Sequence, residues 1–143
     1  MAIDISSKPI QRRIATAVGT LYLSKESMNK IKTETIEKGD PIENAKLAAL
    51  HAVKKTPELV FMAHPIPIEG VNTKIKINES SIEAKVTVTT TAKTGVEVEA
   101  LAGVMNALLA IFDVCKMYEK DMTGNYPTST RIDNIHVVSK EKR

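Results

Sequence analysis

The chain has no tryptophan, and aromatic residues make up only 3% of its 143 positions. Proteins that bind single-stranded nucleic acids stack bases on aromatic side chains, and DNA-binding domains carry dense basic surfaces. Here 20 Lys and Arg oppose 17 Asp and Glu, so the formal net charge is only +3. The composition therefore argues against a nucleic-acid partner and fits a site for a small anionic molecule.

Cysteine and long apolar runs are also scarce. The single cysteine cannot form an internal disulfide, and with three scattered histidines it lacks the ligand spacing of a zinc site. No run reaches the roughly 18 apolar residues of a membrane span, and the first residues (MAIDI) do not resemble a signal peptide. The sequence predicts a cytoplasmic protein without metal or membrane contact, built as one domain over residues 1–143.

Three segments carry strand patterns. Residues 10–23 alternate two sets of apolar side chains, which predicts a first strand covered on both faces. Residues 66–91 predict a hairpin, because apolar and polar positions alternate on both sides of a polar turn. Residues 132–138 predict a last strand, followed by a charged tail.

Three segments carry helix patterns. Residues 24–35 predict a short helix with Ser24 as its N-cap, and a second helix begins at the cap Asp40 and ends before Thr56. Residues 95–119 predict a long helix. The order β-α-α-β-β-α-β predicts an α+β fold, a ferredoxin-like antiparallel sheet packed with helices and carrying one extra helix.

The long helix is apolar on nearly all sides. An all-round apolar helix must be covered on all sides, so we expect the sheet to cover one face and a second copy of the chain to cover the other. Small and polar residues recur along it at about seven-residue spacing, and they would let a second helix approach closely. These residues are Glu99, Gly103, Asn106, Ala110 and Asp113.

Two acidic residues on that stripe are too far apart to share one small site. Glu99 and Asp113 are 14 residues apart in the sequence. That spacing corresponds to about 21 Å along a helix. Two such helices crossing antiparallel about a two-fold axis would bring Glu99 of one copy toward Asp113 of the other. The sequence therefore predicts an active site at a subunit boundary.

Several ionisable residues in this helix have two interpretations. Glu97 follows Thr94 at the spacing of a capping box, so it is either a structural cap or a functional acid. Glu99 has no capping role and is the better functional candidate. Asp113 and Lys116, at i and i+3, form either an ordinary helix ion pair or an acid/base pair in which each tunes the other's pKa.

Two loop residues also have two interpretations. His64 lies in an apolar loop beside Pro65, so it is either a buried hydrogen-bonding partner or a rigidly held catalytic imidazole. Lys38 lies just before a predicted helix N-terminus, where backbone N–H groups favour anions. It is either a solvated loop lysine or part of an anion site.

Six segments of the chain form one set of motifs. The longest is the nine-residue segment at residues 93–101 (KTGVEVEAL), and the shorter ones are DISSK at residues 4–8 with Arg13, KGD at 38–40, AHP at 63–65, DVCK at 113–116 and KDM at 120–122. Together these segments resemble, in order and spacing, one family, the cyclic pyranopterin monophosphate synthases, or molybdenum cofactor biosynthesis protein C (MoaC). The likeness runs from about residue 2 to residue 122.

The resemblance implies a ferredoxin-like fold, a homohexamer built as a trimer of dimers, and active sites at the dimer interface. It implies a lyase whose substrate is a guanosine triphosphate that an upstream radical S-adenosylmethionine cyclase has already cyclised between ribose and purine. The products are cyclic pyranopterin monophosphate and pyrophosphate. Such C–N bond rearrangement needs proton donors and acceptors, and closing the cyclic phosphate needs cations. No redox cofactor is implied; Mg²⁺ is compatible with the sequence but not required by it.

The resemblance also assigns the site residues. Asp113 and Lys116 would perform acid/base work, and Lys38 would act as an acid or hold phosphate. His64 with the two glutamates Glu97 and Glu99 would hold and protonate the purine-derived part. The triphosphate would be held by three cations from a neighbouring subunit: Lys8, Arg13 and Lys140.

The chain departs from the family pattern at two places. Ala63 stands where family members commonly have cysteine, and the chain ends in SKEKR at residues 139–143 instead of a glycine-rich tail. Lys140 keeps its place, but the flexible loop after it is missing. Because ferredoxin-like folds host many functions, a non-catalytic small-ligand-binding or regulatory module is the alternative, and a purely structural assembly domain a third.

Overall fold

The computed structural model describes residues 2–143, so the predicted domain boundary at Met1 lies outside the described residues. Along this part of the chain the elements are β1 (Gln11–Tyr22), α1 (Lys25–Lys32), α2 (Pro41–Lys54), α3 (Thr56–Leu59), β2 (Gly70–Ile77), β3 (Ser81–Ala92), α4 (Glu97–Cys115), a 3₁₀ turn (Lys116–Tyr118) and β4 (Arg131–Lys142).

The four strands form one sheet in the order β2-β3-β1-β4, and every neighbouring pair is antiparallel. This arrangement confirms the predicted α+β, ferredoxin-like sheet packed with helices. One face of β1 is fully buried, whereas Ile14, Val18 and Tyr22 on the other face are only half-buried in the single chain. The full cover predicted for β1 is therefore not reached within one copy.

The last strand is longer than the sequence pattern predicts. It runs through the charged segment to Lys142, so Lys140 pairs with Ala15 on β1. The apolar alternation ends at Val138, but the backbone pairing continues because hydrogen bonds between strands do not depend on the side chain. This extension brings Lys140 to the start of α4.

The predicted caps of the first two helices form. The Ser24 hydroxyl accepts the N–H of Ser27, and Asp40 accepts the N–H groups of Ile42 and Glu43. Helix α1 ends at Lys32, three residues before the predicted end. The sequence pattern missed α3, a single turn in which proline occupies the first-turn position that tolerates it.

Helix α4 lies between the sheet and α2. A side chain at Gly103 would lie 3.0 Å from both Val53 on α2 and Val86 on β3. The Asn106 amide donates to the Ala48 carbonyl at 2.8 Å, and the Asn44 amide donates to the Ala110 carbonyl at 3.3 Å. The middle of the stripe, at Gly103 and Asn106, therefore packs on α2 of the same chain, so the prediction that a second copy covers these two residues is wrong. Asp113, at the end of the stripe, stays about half exposed.

A different face of α4 is open. Val98, Met105 and Leu109 are 41%, 54% and 54% exposed. Met105 and Leu109 line an apolar cavity of about 510 Å³ that α2, α3 and β4 complete. By length and composition alone, the stretch Glu97–Tyr118 is apolar enough to cross a membrane, but half of that window is buried inside the fold, as in the core helix of a soluble domain.

Candidate active site

The first group of functional side chains lies at the C-terminal end of α4. Lys38 Nζ is 2.8 Å from Asp113 Oδ2, and Lys116 Nζ is 3.4 Å from Asp113 Oδ1. We call these three residues the Asp113 cluster. Lys116 reaches Asp113 because they are three residues apart on helical backbone. Lys38 comes from the α1–α2 loop, where Gly39 adopts a φ of 127° that favours glycine.

One carboxylate therefore lies between two ammonium groups. The hydrogen bond from Lys38 lowers the pKa of Asp113, and the bond from Lys116 lowers it further. The side chains remain between 40% and 49% exposed, so a bound molecule can reach them. Two cations and one anion leave a net positive charge, which suits an anionic ligand. Lys38 is therefore not simply a solvated loop lysine, because its ammonium group pairs with Asp113.

The second group lies at the N-terminal end of α4. Glu97 Oε1 is 3.0 Å from Lys140 Nζ, and Arg13 on β1 lies in the same small depression. We call Arg13, Glu97 and Lys140 the Glu97 cluster. The Arg13 guanidinium is buried and donates to the Lys93 carbonyl at 3.3 Å, while its buried Nε has no partner among the described residues. The cluster is built from two strands and one helix.

The capping-box interpretation of Glu97 is wrong. Helix α4 begins after Val96, and no side chain makes its N-cap hydrogen bond. The Glu97 carboxylate instead folds back over Gly95, where a Cβ atom would clash with both carboxylate oxygens. Gly95 therefore leaves the space in which Glu97 reaches Lys140.

Two glutamates in the first turn of α4, Glu97 and Glu99, have opposite pKa shifts. Burial opposes ionisation of Glu97, but its own N–H and the Lys140 ammonium outweigh burial, so the pKa of Glu97 is lowered. Glu99 is only 3% exposed, and burial raises its pKa, with the Glu97 charge adding to the effect. Two carboxyl groups whose environments separate their pKa values are suited to different roles, one as a fixed anion and one as a proton donor.

His64 lies in the loop after α3. Its Nε2 is 2.7 Å from the Ile3 carbonyl. Because a carbonyl oxygen only accepts, Nε2 carries the proton, and Nδ1 is free to accept one. His64 lines a cavity of about 280 Å³ together with Lys93 and Thr94, the residues that precede the Glu97 cluster. The imidazole is half-buried and hydrogen-bonded, and it also lines a cavity. The structure is therefore compatible with both interpretations of His64, a structural hydrogen-bonding partner and a catalytic imidazole.

Lys8 joins neither cluster through an ion pair. Its side chain is exposed and makes no ion pair among residues 2–143. Arg13 and Lys140, which the resemblance places in a neighbouring subunit, lie beside Glu97 of the same chain. The triphosphate role of these three residues stays a prediction.

The clusters occupy opposite ends of one helix. Residues 97 and 113 lie at the start and near the end of α4, which spans Glu97–Cys115. At about 1.5 Å per residue their separation is roughly 24 Å. A single chain thus presents two separate clusters that one small molecule cannot bridge. Within residues 2–143, no three His, Cys, Asp or Glu side chains lie close enough together to hold a metal ion.

The turn after Lys116 also contributes residues that the sequence pattern did not single out. The Tyr118 hydroxyl and the Glu119 carboxylate bond to segments far away in the sequence. No sequence pattern marks Glu119, because its burial at the end of an apolar helix is visible only in the fold.

Comparison with known proteins identifies the family of this chain. The sequence matches the MoaC family over residues 2–142. The chain belongs to the MoaC family. A relative from Methanosarcina acetivorans, named a probable cyclic pyranopterin monophosphate synthase, is 51% identical over 98% of this chain and 88% of its own length. A relative of the same name from Sulfurisphaera tokodaii is 50% identical over 98% of the chain and 92% of its own length.

One similar MoaC relative has a different name. The protein from Methanothermobacter thermautotrophicus, 46% identical over 98% of this chain and 87% of its own length, is named a probable cyclic pyranopterin monophosphate synthase accessory protein.

Proposed function

We propose that this MoaC family member is a cyclic pyranopterin monophosphate synthase of molybdenum cofactor biosynthesis. It acts in the cytoplasm on a guanosine triphosphate already cyclised between ribose and purine, the product of a radical cyclase. It is a lyase: it rearranges C–N bonds, closes a cyclic phosphate and releases pyrophosphate, by acid/base catalysis without a redox cofactor.

The observation that carries this proposal is the position of Asp113 between two lysines. A carboxylate held ionised by two ammonium groups is a fixed anion that orients both cations toward a ligand. One ammonium can donate a proton to a leaving nitrogen while the other stabilises negative charge on phosphate. We assign the proton transfer to Lys116 and the phosphate contact or a second proton to Lys38.

The Glu97 cluster complements this chemistry. Its buried guanidinium and the Lys140 ammonium supply positive charge for the triphosphate. Glu99, whose burial favours the protonated form, can donate a proton to a purine-derived nitrogen, which a glutamine at this position could not do. We assign His64, with its free Nδ1, to the same part of the substrate.

A second copy of the chain would complete the site. The two clusters, each of which would be a half-site, lie at opposite ends of α4, and the middle of the small-residue stripe between them is already covered by α2. The open face with Val98, Met105 and Leu109 lies beside both half-sites and exposes apolar surface along the helix. An antiparallel pairing of this face about a two-fold axis would align each Asp113 cluster with the partner's Glu97 cluster, and three such dimers would make the hexamer.

The direct test supplies freshly prepared cyclised nucleotide to the purified protein. Mass spectrometry is expected to show the pyranopterin product together with an equal amount of pyrophosphate. A folded, assembled protein that binds the nucleotide but forms neither product would reject the enzyme and favour a binding or accessory module.

A further inference from the structure

Tyr118 connects the two parts of the chain that supply lysines to the Asp113 cluster. It lies in the 3₁₀ turn that begins at Lys116. Its hydroxyl accepts the backbone N–H of Glu37 at 3.1 Å, and Glu37 directly precedes Lys38. The Tyr118 ring packs against the core, and the Lys30 ammonium lies 4.8 Å from the ring centroid. The side chain is therefore held at both its ring and its hydroxyl.

The next residue anchors the turn. Glu119 is 3% exposed although it is acidic. Its carboxylate accepts hydrogen bonds from the Ser24 N–H and hydroxyl, from the Ser27 hydroxyl and from the Thr130 hydroxyl. These donors come from the start of α1 and from the segment just before β4. A buried carboxylate with several donors fixes the backbone around it.

Resting on the proposed function, we propose that Tyr118 is a positioning residue for the reaction. Its hydroxyl holds the Glu37 peptide, and through it the Lys38 ammonium, at hydrogen-bonding distance from Asp113. The Glu119 anchor keeps the turn, and hence both Tyr118 and Lys116, in place. Tyr118 itself touches neither Asp113 nor a substrate atom; it acts through Lys38.

The other interpretation is that Tyr118 only fills space beside the core. The two interpretations differ in what the hydroxyl does. A space-filling ring has the same effect with or without the oxygen atom. A positioning hydroxyl, once removed, frees the Glu37 peptide and loosens the bond between Lys38 and Asp113, which is the main cause of the lowered Asp113 pKa.

The test is Tyr118→Phe in the full-length protein, which keeps the ring. The Asp113 pKa, followed by NMR of ¹³C-labelled aspartate and assigned with Asp113→Asn, is expected to rise toward its ordinary value. The Glu37 amide is expected to exchange with solvent faster. In the enzyme assay kcat should fall about threefold, the loss of part of one modest hydrogen bond, while KM stays near the wild-type value.

A double-variant comparison separates positioning from a general loss of structure. In a Lys38→Ala background, Tyr118→Phe should not move the Asp113 pKa further, because the tyrosine acts through that lysine. Tyr22→Phe is the matched control: Tyr22 lies on β1 with the Arg131 guanidinium 4.2 Å from its ring centroid, and its change should leave Asp113 unaffected.

Two results would overturn the proposal: an unchanged Asp113 pKa in Tyr118→Phe, or an equal change in the Lys38→Ala background. Neither measurement needs turnover. If the wild-type protein formed no pyranopterin, the proposed function would fail, while the NMR titration would still decide whether Tyr118 positions Lys38.

Discussion

The acidic residues at the two ends of α4 lie in opposite electrostatic environments, one exposed and one buried. The Asp113 cluster is about half exposed, with one carboxylate that two lysines keep ionised. At the other end, Glu99 is buried and its pKa is raised, while the adjacent Glu97 is kept ionised by a lysine from β4. One end of the helix therefore offers exposed cations, and the other offers a buried acid beside an ion pair.

Because of this difference, one apolar helix holds both an exposed ion pair and a buried carboxyl group that favours its neutral form. An exposed ion pair costs little to form and is easily rearranged by a ligand, whereas a buried carboxyl group favours its neutral form. Acid/base catalysis can combine an accessible proton carrier with a group whose protonation state is set by burial. Because the two ends of α4 are far apart, both can meet one substrate only if two chains contribute.

The largest expected effect comes from removing the lysine of the exposed end. Lys116→Ala should lower kcat about 10²–10⁴-fold, the usual contribution of a positioned proton donor, while the nucleotide still binds by calorimetry. Lys55→Ala is the matched control, because Lys55 pairs with Glu58 at the same i,i+3 spacing on the surface. A loss of affinity with unchanged kcat would instead make Lys116 a binding residue.

A mixing experiment tests whether the two ends belong to one site in different chains. Lys116→Ala and Glu99→Gln damage opposite ends of α4, and each should be strongly impaired alone. Co-expressed, they should recover about a quarter of wild-type turnover, because half of randomly mixed dimers are hybrid and each hybrid holds one intact site.

The control for the mixing experiment pairs two variants of the same end. Lys116→Ala mixed with Asp113→Asn should recover no activity, since every Asp113 cluster is then damaged. Absence of recovery in the first mixture, with hybrid assemblies verified by native mass spectrometry, would contradict a shared site.

A smaller effect is expected from crowding the Glu97 end. Gly95→Ala places a Cβ atom where the Glu97 carboxylate lies, so the carboxylate must leave Lys140. We expect KM to rise about fivefold, on the order of one hydrogen bond to a charged group, with the fold retained. Gly70→Ala, whose Cβ would meet Thr89 at an ordinary 3.7 Å, should leave KM unchanged. Equal KM values for both variants would show that Glu97 does not set substrate affinity.

The smallest effects concern stability and pH. The pKa of Glu99 is higher in the folded state than in the unfolded chain. Its contribution to the free energy of unfolding is therefore fully present below the pKa it has in the unfolded chain, and is lost as the pH rises through its folded-state pKa. Glu99→Gln, which resembles the protonated acid, should therefore raise the unfolding midpoint at pH 7 and lose this advantage near about pH 4.

Glu97 should respond in the opposite direction. The pKa of Glu97 is lower in the folded state than in the unfolded chain. Its contribution to the free energy of unfolding is therefore present above the pKa it has in the unfolded chain, and is lost as the pH falls through its folded-state pKa. Glu97→Gln should slightly lower the unfolding midpoint at pH 7 and have less effect in acid. Thermal scans of both variants between about pH 4 and 7 measure this contrast, and shifts of the same sign would refute it.

Much of the fold could be predicted because its signals are local. The caps at Ser24 and Asp40 and the alternating strand faces each depend on residues within a few positions of one another. The bond between Asp113 and Lys116 is local for the same reason. The end of β4 and the helix α3 were missed, because pairing with β1 and a tolerated proline leave little trace in hydrophobic periodicity.

The sequence by itself determined the order of the elements, the apolar character of α4 and the charged residues at its two ends, since periodicity and composition are properties of neighbouring residues. Only the tertiary structure decided that Lys38 joins Asp113 across 75 positions, that Lys140 joins Glu97, and that α2 rather than a second copy covers the middle of the stripe at Gly103. These contacts depend on which surfaces meet when the sheet and helices pack, and many packings satisfy the same hydrophobic pattern.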